Sequence, residues 1–133
     1  MYEYRLWIEL SESTEEDDCG QLEAKILELQ KLINEKLTLI RSPTECIFHV
    51  NYSDIFQCSA GANHRGGEHE ALLEVLEHLV KILPGSHGLV YLVDDENPGN
   101  AYFDGYRVLV IARGQIQERF DPFLSPLNPV VED

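Results

Sequence analysis

Lysine and arginine are scarce in this chain. Ten of them stand against twenty-four aspartates and glutamates in 133 residues, a formal charge of −14. So few cations exclude nucleic acid and anionic membrane surfaces as natural partners, and the net charge attracts anything basic over long range. Long apolar runs are missing too, since none approaches the ~20 residues of a membrane span. The opening Met1-Tyr2-Glu3-Tyr4-Arg5-Leu6 lacks the basic patch and apolar core of a signal peptide, so a cytoplasmic chain beginning near Met1 is expected. Cysteine is sparse. Cys19, Cys46 and Cys58 cannot all pair, and their spacing fits neither a zinc ribbon nor a CxxC redox motif, so reduced thiols are expected. Nucleophile elbows, phosphate-cradling glycine loops and paired catalytic carboxylates are absent, and the sequence points to no cofactor.

What is present suffices for a folded domain. Hydrophobic residues make up 44% of the chain, more than a disordered acidic tail carries, and the length fits a single domain over residues 1–133. Tyr2, Tyr4, Leu6, Ile8 and Leu10 alternate with Glu3, Arg5, Trp7 and Glu9, the pattern of a half-buried strand. Ser13 or Thr14 followed by Glu15, Glu16, Asp17 and Asp18 resembles a helix start, with Gly20 able to delay it to Gln21. Leu22, Ile26, Leu29, Ile33 and Leu37 then repeat at helical spacing. Cys46–Val50 and Ile55–Ala60 read as a hairpin around a four-residue turn, Asn51-Tyr52-Ser53-Asp54. A second helix is expected from Glu68 to Leu83, ended by Pro84-Gly85. Leu89–Val93 reads as a central strand buried on both faces. Tyr106–Arg113 and Gln115–Phe120, joined at Gly114, form a terminal hairpin. Pro122, Pro126 and Pro129 keep residues 121–133 out of regular structure, as a tail packed on the domain. The economical assembly is α+β: two helices on one face of a mainly antiparallel sheet, in ferredoxin-like order with an added C-terminal hairpin.

Three loops hold the candidate site residues. Asn63-His64-Arg65, bracketed by glycines at 61, 66 and 67, offers an amide, an imidazole and a guanidinium, suited to recognition or to capping the second helix. His64, Glu68, His69 and His78 invite a metal reading, but His64 and His69 lack the spacing that sets two imidazoles on one helix face. Asp94-Asp95-Glu96 reads as a solvated turn rather than a cation site, since three adjacent acids rarely converge on one ion without further ligands. In a ferredoxin-like order this turn, the acidic run Glu12–Asp18 and the Asn63 loop are expected at one end of the sheet, as one rim. Trp7, the lone tryptophan, is an interface anchor unless Phe123 and Leu124 of the tail fold over it.

Several stretches resemble the seventh family of immunity proteins of bacterial polymorphic toxin systems. They are Tyr2-Glu3-Tyr4 with Trp7, the Gly61-x-Asn63-His64-Arg65 loop, Pro84-Gly85-Ser86-His87-Gly88-Leu89 leading into Asp94-Asp95-Glu96, and Asp121-Pro122-Phe123-Leu124-Ser125-Pro126 with the closing Glu132-Asp133. The resemblance runs nearly end to end; one departure is Leu6, where a glycine is expected before the tryptophan. It implies a non-enzymatic protein that binds and neutralises a cognate toxin. Net charge, rather than the family, suggests a basic, nuclease-type toxin and a monomer or weak dimer. Partner contacts are expected from Asn63, His64, Arg65, Asp94, Asp95, Glu96, Glu15, Glu16 and Trp7. The competing reading is a small metal-dependent hydrolase centred on His64, Arg65 and His69.

Overall fold

The computed structural model describes residues 1–13, 20–64, 66–94 and 105–125. Along the chain run β1 (Tyr2–Leu10), α1 (Leu22–Lys36), a 3-10 turn (Pro43–Glu45), β2 (Ile47–Val50), β3 (Ser53–Ala62), α2 (Glu68–Ile82), β4 (His87–Asp94), β5 (Arg107–Ala112) and β6 (Gln115–Phe120). The six strands form one sheet in the order β2-β3-β1-β4-β5-β6, and every neighbouring pair is antiparallel. The fold is α+β. Each helix joins two strands that share a direction and straddle a third: α1 links β1 to β2 around β3, and α2 links β3 to β4 around β1.

The alternation in β1 decides which face receives the helices. Tyr2, Tyr4, Leu6, Ile8 and Leu10 are buried in one cluster with Leu29, Ile33 and Leu37 from the first helix segment and Leu72, Leu76, Leu79 and Leu83 from the second. Each fully buried leucine contributes about 2 kcal/mol by the area it withdraws from water. Leu6 sits in this core as a regular strand residue, so β1 runs on without a glycine before Trp7. Both hairpin turns use left-handed backbone. Asn51 (φ 48) and Tyr52 (φ 70) connect β2 to β3, and Arg113 (φ 54) and Gly114 (φ 70) connect β5 to β6, the signs required by two-residue turns that match strand twist.

Some sequence expectations need correction. The first hairpin turn has two residues rather than four, because Ser53 and Asp54 pair with Val50 and His49 inside the ladder. No serine or threonine hydroxyl is seen capping the first helix among the described residues; α1 begins at Leu22. Its approach is held by Glu12, whose Oε1 accepts from the Gln21 N–H at 3.1 Å and lies 3.4 Å from Lys25 Nζ. Glu12 is therefore buried rather than part of an exposed acidic loop. β4 is buried throughout only on its helix-facing side; on the other, Val93 is buried but its neighbours are not. Leu89 and Tyr91 are only half-buried, because the helix layer covers the opposite side. Gly88, on the helix-facing side, lies so close to β1 that a Cβ there would stand 2.0 Å from the Trp7 carbonyl oxygen.

One carboxylate ties the two helices together. Glu68, at the start of α2, accepts from the Thr38 N–H (3.0 Å), the Leu39 N–H (3.1 Å) and the Tyr4 hydroxyl (2.9 Å). It fastens the chain leaving α1 to the mouth of α2 and to the central strand. Beside it the Tyr2 hydroxyl meets His69 Nδ1 at 3.0 Å. Burial first, and Glu68 second, push the Tyr4 hydroxyl far above its ordinary pKa, so it stays protonated and donates. Burial, with Cys46 and Glu68 adding to it, lifts the Cys58 thiol from 9.0 to about 12.

Removing the Glu68 carboxylate takes the acceptor from the buried Tyr4 hydroxyl and from the part-buried N–H groups of Thr38 and Leu39. Glu68→Ala is expected to lower the unfolding free energy by about 3 kcal/mol, read by urea denaturation, since a buried donor left without an acceptor loses most of its solvation. Alkaline pH should destabilise the fold as well. Between pH 9.0 and about 12 the unfolded chain releases the Cys58 proton while the folded chain keeps it, so unfolding becomes easier as pH rises. Urea midpoints should hold level up to about pH 8 and fall above it, and Cys58→Ala should reduce that slope, leaving the contributions of Cys46, Tyr4 and Tyr91, which are raised as well.

Candidate partner-binding face

The side of the sheet turned away from the helices is built from the alternate residues of the same strands. Ladder pairing sets its rows. One runs Phe48, Ile55, Glu9, His87; the next Gln57, Trp7, Leu89, Val110, Gln117; the third Ser59, Arg5, Tyr91, Val108, Arg119. Aliphatic and aromatic groups therefore occupy the middle of the face, with polar residues around them. Trp7 is 45% exposed, and Phe48 and Val50 are 38% and 42% exposed.

The charged groups of this face are matched locally. Arg5 meets Glu3 at 3.0 Å. Glu9 accepts from the Ser53 hydroxyl at 2.7 Å, and its other oxygen lies 3.2 Å from His87 Nε2. The His87 ring meets Trp7 edge-on, with centroids 6.3 Å apart. Toward one end, Met1, Glu3, Arg5, Ser59, Gly61 and Asn63 line a shallow hollow.

The tail joins this surface through Asp121. The carboxylate is fully buried. It accepts from the Phe123 N–H (3.3 Å) and the Leu124 N–H (2.7 Å), and from the Tyr91 hydroxyl. Partial burial first, then the Asp121 charge and hydrogen bond, raise the Tyr91 pKa. Tyr106 stacks edge-on against Tyr91 at 5.4 Å, and its N–H donates to Ser125 Oγ at 2.9 Å. The result is a turn fastened at both ends with its apolar side chains outward. Phe123 is 83% and Leu124 59% exposed. The expected folding of these two residues over Trp7 is thus not what occurs: Asp121 holds the backbone so that they project.

The chain does not leave β1, β3 and β4 at one end of the sheet, as the expected rim requires. β1 pairs antiparallel with both β3 and β4, so the chain leaves β1 at the opposite end of the sheet from the ends of β3 and β4. Asn63 and His64, which follow β3, stand exposed at the end shared with Asp94. Asp94 closes β4 with its side chain 2% exposed, opposite Tyr2 on the helix-facing side, so it is no exposed loop charge. Arg65, Asp95, Glu96, Glu15 and Glu16 lie outside the described residues, as do Pro126–Asp133. Among the sequence-derived candidates, the structure joins Asn63 to the face of Trp7 through the shallow hollow and separates both from the segment after β1.

His69 is 8% exposed and engaged with Tyr2 inside the core, while His64 stands on the exposed loop. They do not converge as the hydrolase reading requires. Among the described residues no three metal-ligating side chains gather.

A profile of the family described as immunity protein 7 matches residues 1–133, the whole chain. The chain belongs to the immunity protein 7 family. Neither a curated protein nor a solved structure matches it.

Sequence reasoning missed several residues of this face in an immunity protein 7 chain: Tyr91, the Glu9–His87 pair, Phe48 with Val50, and the Asp121 turn. The last carried a readable signal, because an aspartate two and three residues before available N–H groups is a local turn former. Asp121→Ala should release the turn and orphan the Phe123 and Leu124 N–H groups, at about 2 kcal/mol of stability by urea denaturation. It should also speed proteolytic cleavage after Phe120.

Proposed function

We propose that the protein is the immunity partner of a toxin and neutralises it by stoichiometric binding in the cytoplasm of a bacterial producer cell, without catalysis of its own. The observation that carries this reading is the family match over all 133 residues. The net charge of −14 supports a basic toxin domain of nuclease type, whose cationic cleft an acidic protein blocks. The same charge disfavours self-association beyond a weak dimer. Partner contact is assigned to the Trp7 side together with the Asn63-His64-Arg65 loop; Asp95, Glu96, Glu15 and Glu16 add attraction. Asp94 leaves that set because it is buried. The hydrolase alternative draws no support from His69 and Glu68, since both serve the core.

The toxin domain encoded beside this chain is the reagent for the test. Inhibition of its activity should be complete at one immunity protein per toxin. Inhibition by far fewer copies would point instead to a catalytic mode. Association should approach ~10⁸ M⁻¹s⁻¹ at low salt and slow steeply as salt screens the charges. An on-rate independent of salt in stopped flow would remove the basic partner and leave the inhibitor function standing.

A further inference from the structure

We infer that docking and attraction have separate sources in this molecule. The open face of the sheet, with Trp7 at its centre and Phe123 and Leu124 at its margin, seats the toxin domain. The net charge of the whole chain, −14, supplies the long-range pull. This rests on the reading of the chain as an immunity protein and names the surface that performs it.

The two sides differ in chemistry. Glu23, Glu28, Glu35, Glu70, Glu74 and Glu77 are exposed on α1 and α2 beside exposed Lys31, Lys36 and Lys81, so the helix side is a mixed charged surface with a modest excess of carboxylates. The open face has a different balance. Its carboxylates are engaged on the same face, Glu3 with the Arg5 guanidinium and Glu9 with the His87 imidazole. What it offers is apolar relief: Trp7, Phe48 and Val50 protruding from the strands, and Phe123 and Leu124 from a turn that three hydrogen bonds to Asp121 hold in place. An aromatic centre inside a polar rim is the anatomy of a specific protein interface. Anchors held rigid before contact lose little freedom on binding.

Charge selects the occupant. A second copy would bring another −14 to the same place and be repelled. A basic toxin domain gains from the whole field and needs only an apolar contact surface to seat on Trp7. Steering is an on-rate effect of net charge, whereas burial of aromatic anchors governs the off-rate.

That division fixes the experiment. Binding kinetics are measured between the full chain and the toxin domain encoded beside it. Trp7→Ala and Phe123→Ala should each raise the off-rate, Trp7→Ala by about thirtyfold as for an interface hot spot, with on-rates within about twofold. A helix-face pair, Glu35→Lys with Glu77→Lys, should slow association several-fold at low salt and leave the off-rate unchanged. Phe123 is 83% exposed, so its variant folds regardless of what Trp7→Ala does to stability. Unchanged off-rates in both aromatic variants, with intact melting curves, overturn the assignment. A raised off-rate in the helix pair does the same and moves docking to the helix side. A dimer of the unsubstituted chain in sedimentation, lost in Trp7→Ala, would give the face to a second copy instead. If the unsubstituted chain fails to bind or protect, the immunity reading falls with this one; if it protects and the variants behave as it does, only the surface is wrong.

Discussion

Antiparallel pairing on both flanks of β1 organises everything else in this molecule. With β3 and β4 both running against it, the central strand starts where they finish. Each helix must then return the chain over the sheet to reach a strand beyond its neighbour, and both returns land on the side where Tyr2, Tyr4, Leu6, Ile8 and Leu10 point. One side of β1 therefore carries the core, and the other, with Trp7, does not. The same geometry sets Asn63, after β3, and Ser11, after β1, at opposite ends of the sheet.

The core depends on a polar fastening as well as on apolar burial. Glu68 reaches the backbone beyond α1 and the hydroxyl of the central strand at once, so the helices are set relative to each other by directional bonds as well as by the fit of leucines. Buried carboxylates are costly unless fully bonded. Three of them accept from backbone N–H groups: Glu12 from Gln21, Glu68 from Thr38 and Leu39, and Asp121 from Phe123 and Leu124 in its own turn. In a chain so rich in acids, a few are structural and the remainder are left to set the field.

Much of the fold was legible in local pattern. Strict alternation in β1, the leucines at helical spacing in α2 and the Pro84-Gly85 stop each reflect a period or a backbone restriction that acts within a few residues. What was not legible depends on distant partners. Nothing in the residue type separates Glu12 and Asp94, which turn inward, from acids that stay in water; that choice is made by Gln21 and Lys25 for the first and by the end of a paired strand for the second. The end of the sheet at which each strand releases the chain was hidden for a related reason, because strand direction is a property of pairing and not of the strand's own sequence. Trp7 was legible as an anchor, since it breaks the polar side of an otherwise regular alternation. Its exposure hinged on where Phe123 and Leu124 went, and that was decided by Asp121.

The chain has a single tryptophan, and it lies on the open face rather than in the core. Most small domains bury their indole, so their fluorescence reports unfolding. Here the only indole emitter is half in water beside an ionisable imidazole, with its centroid 6.3 Å from that of His87. Excitation at the red edge of the protein band therefore interrogates one patch of surface and nothing else. Emission from this chain is an unlabelled optical gauge of what touches that patch, with the helix layer and the core dark to it.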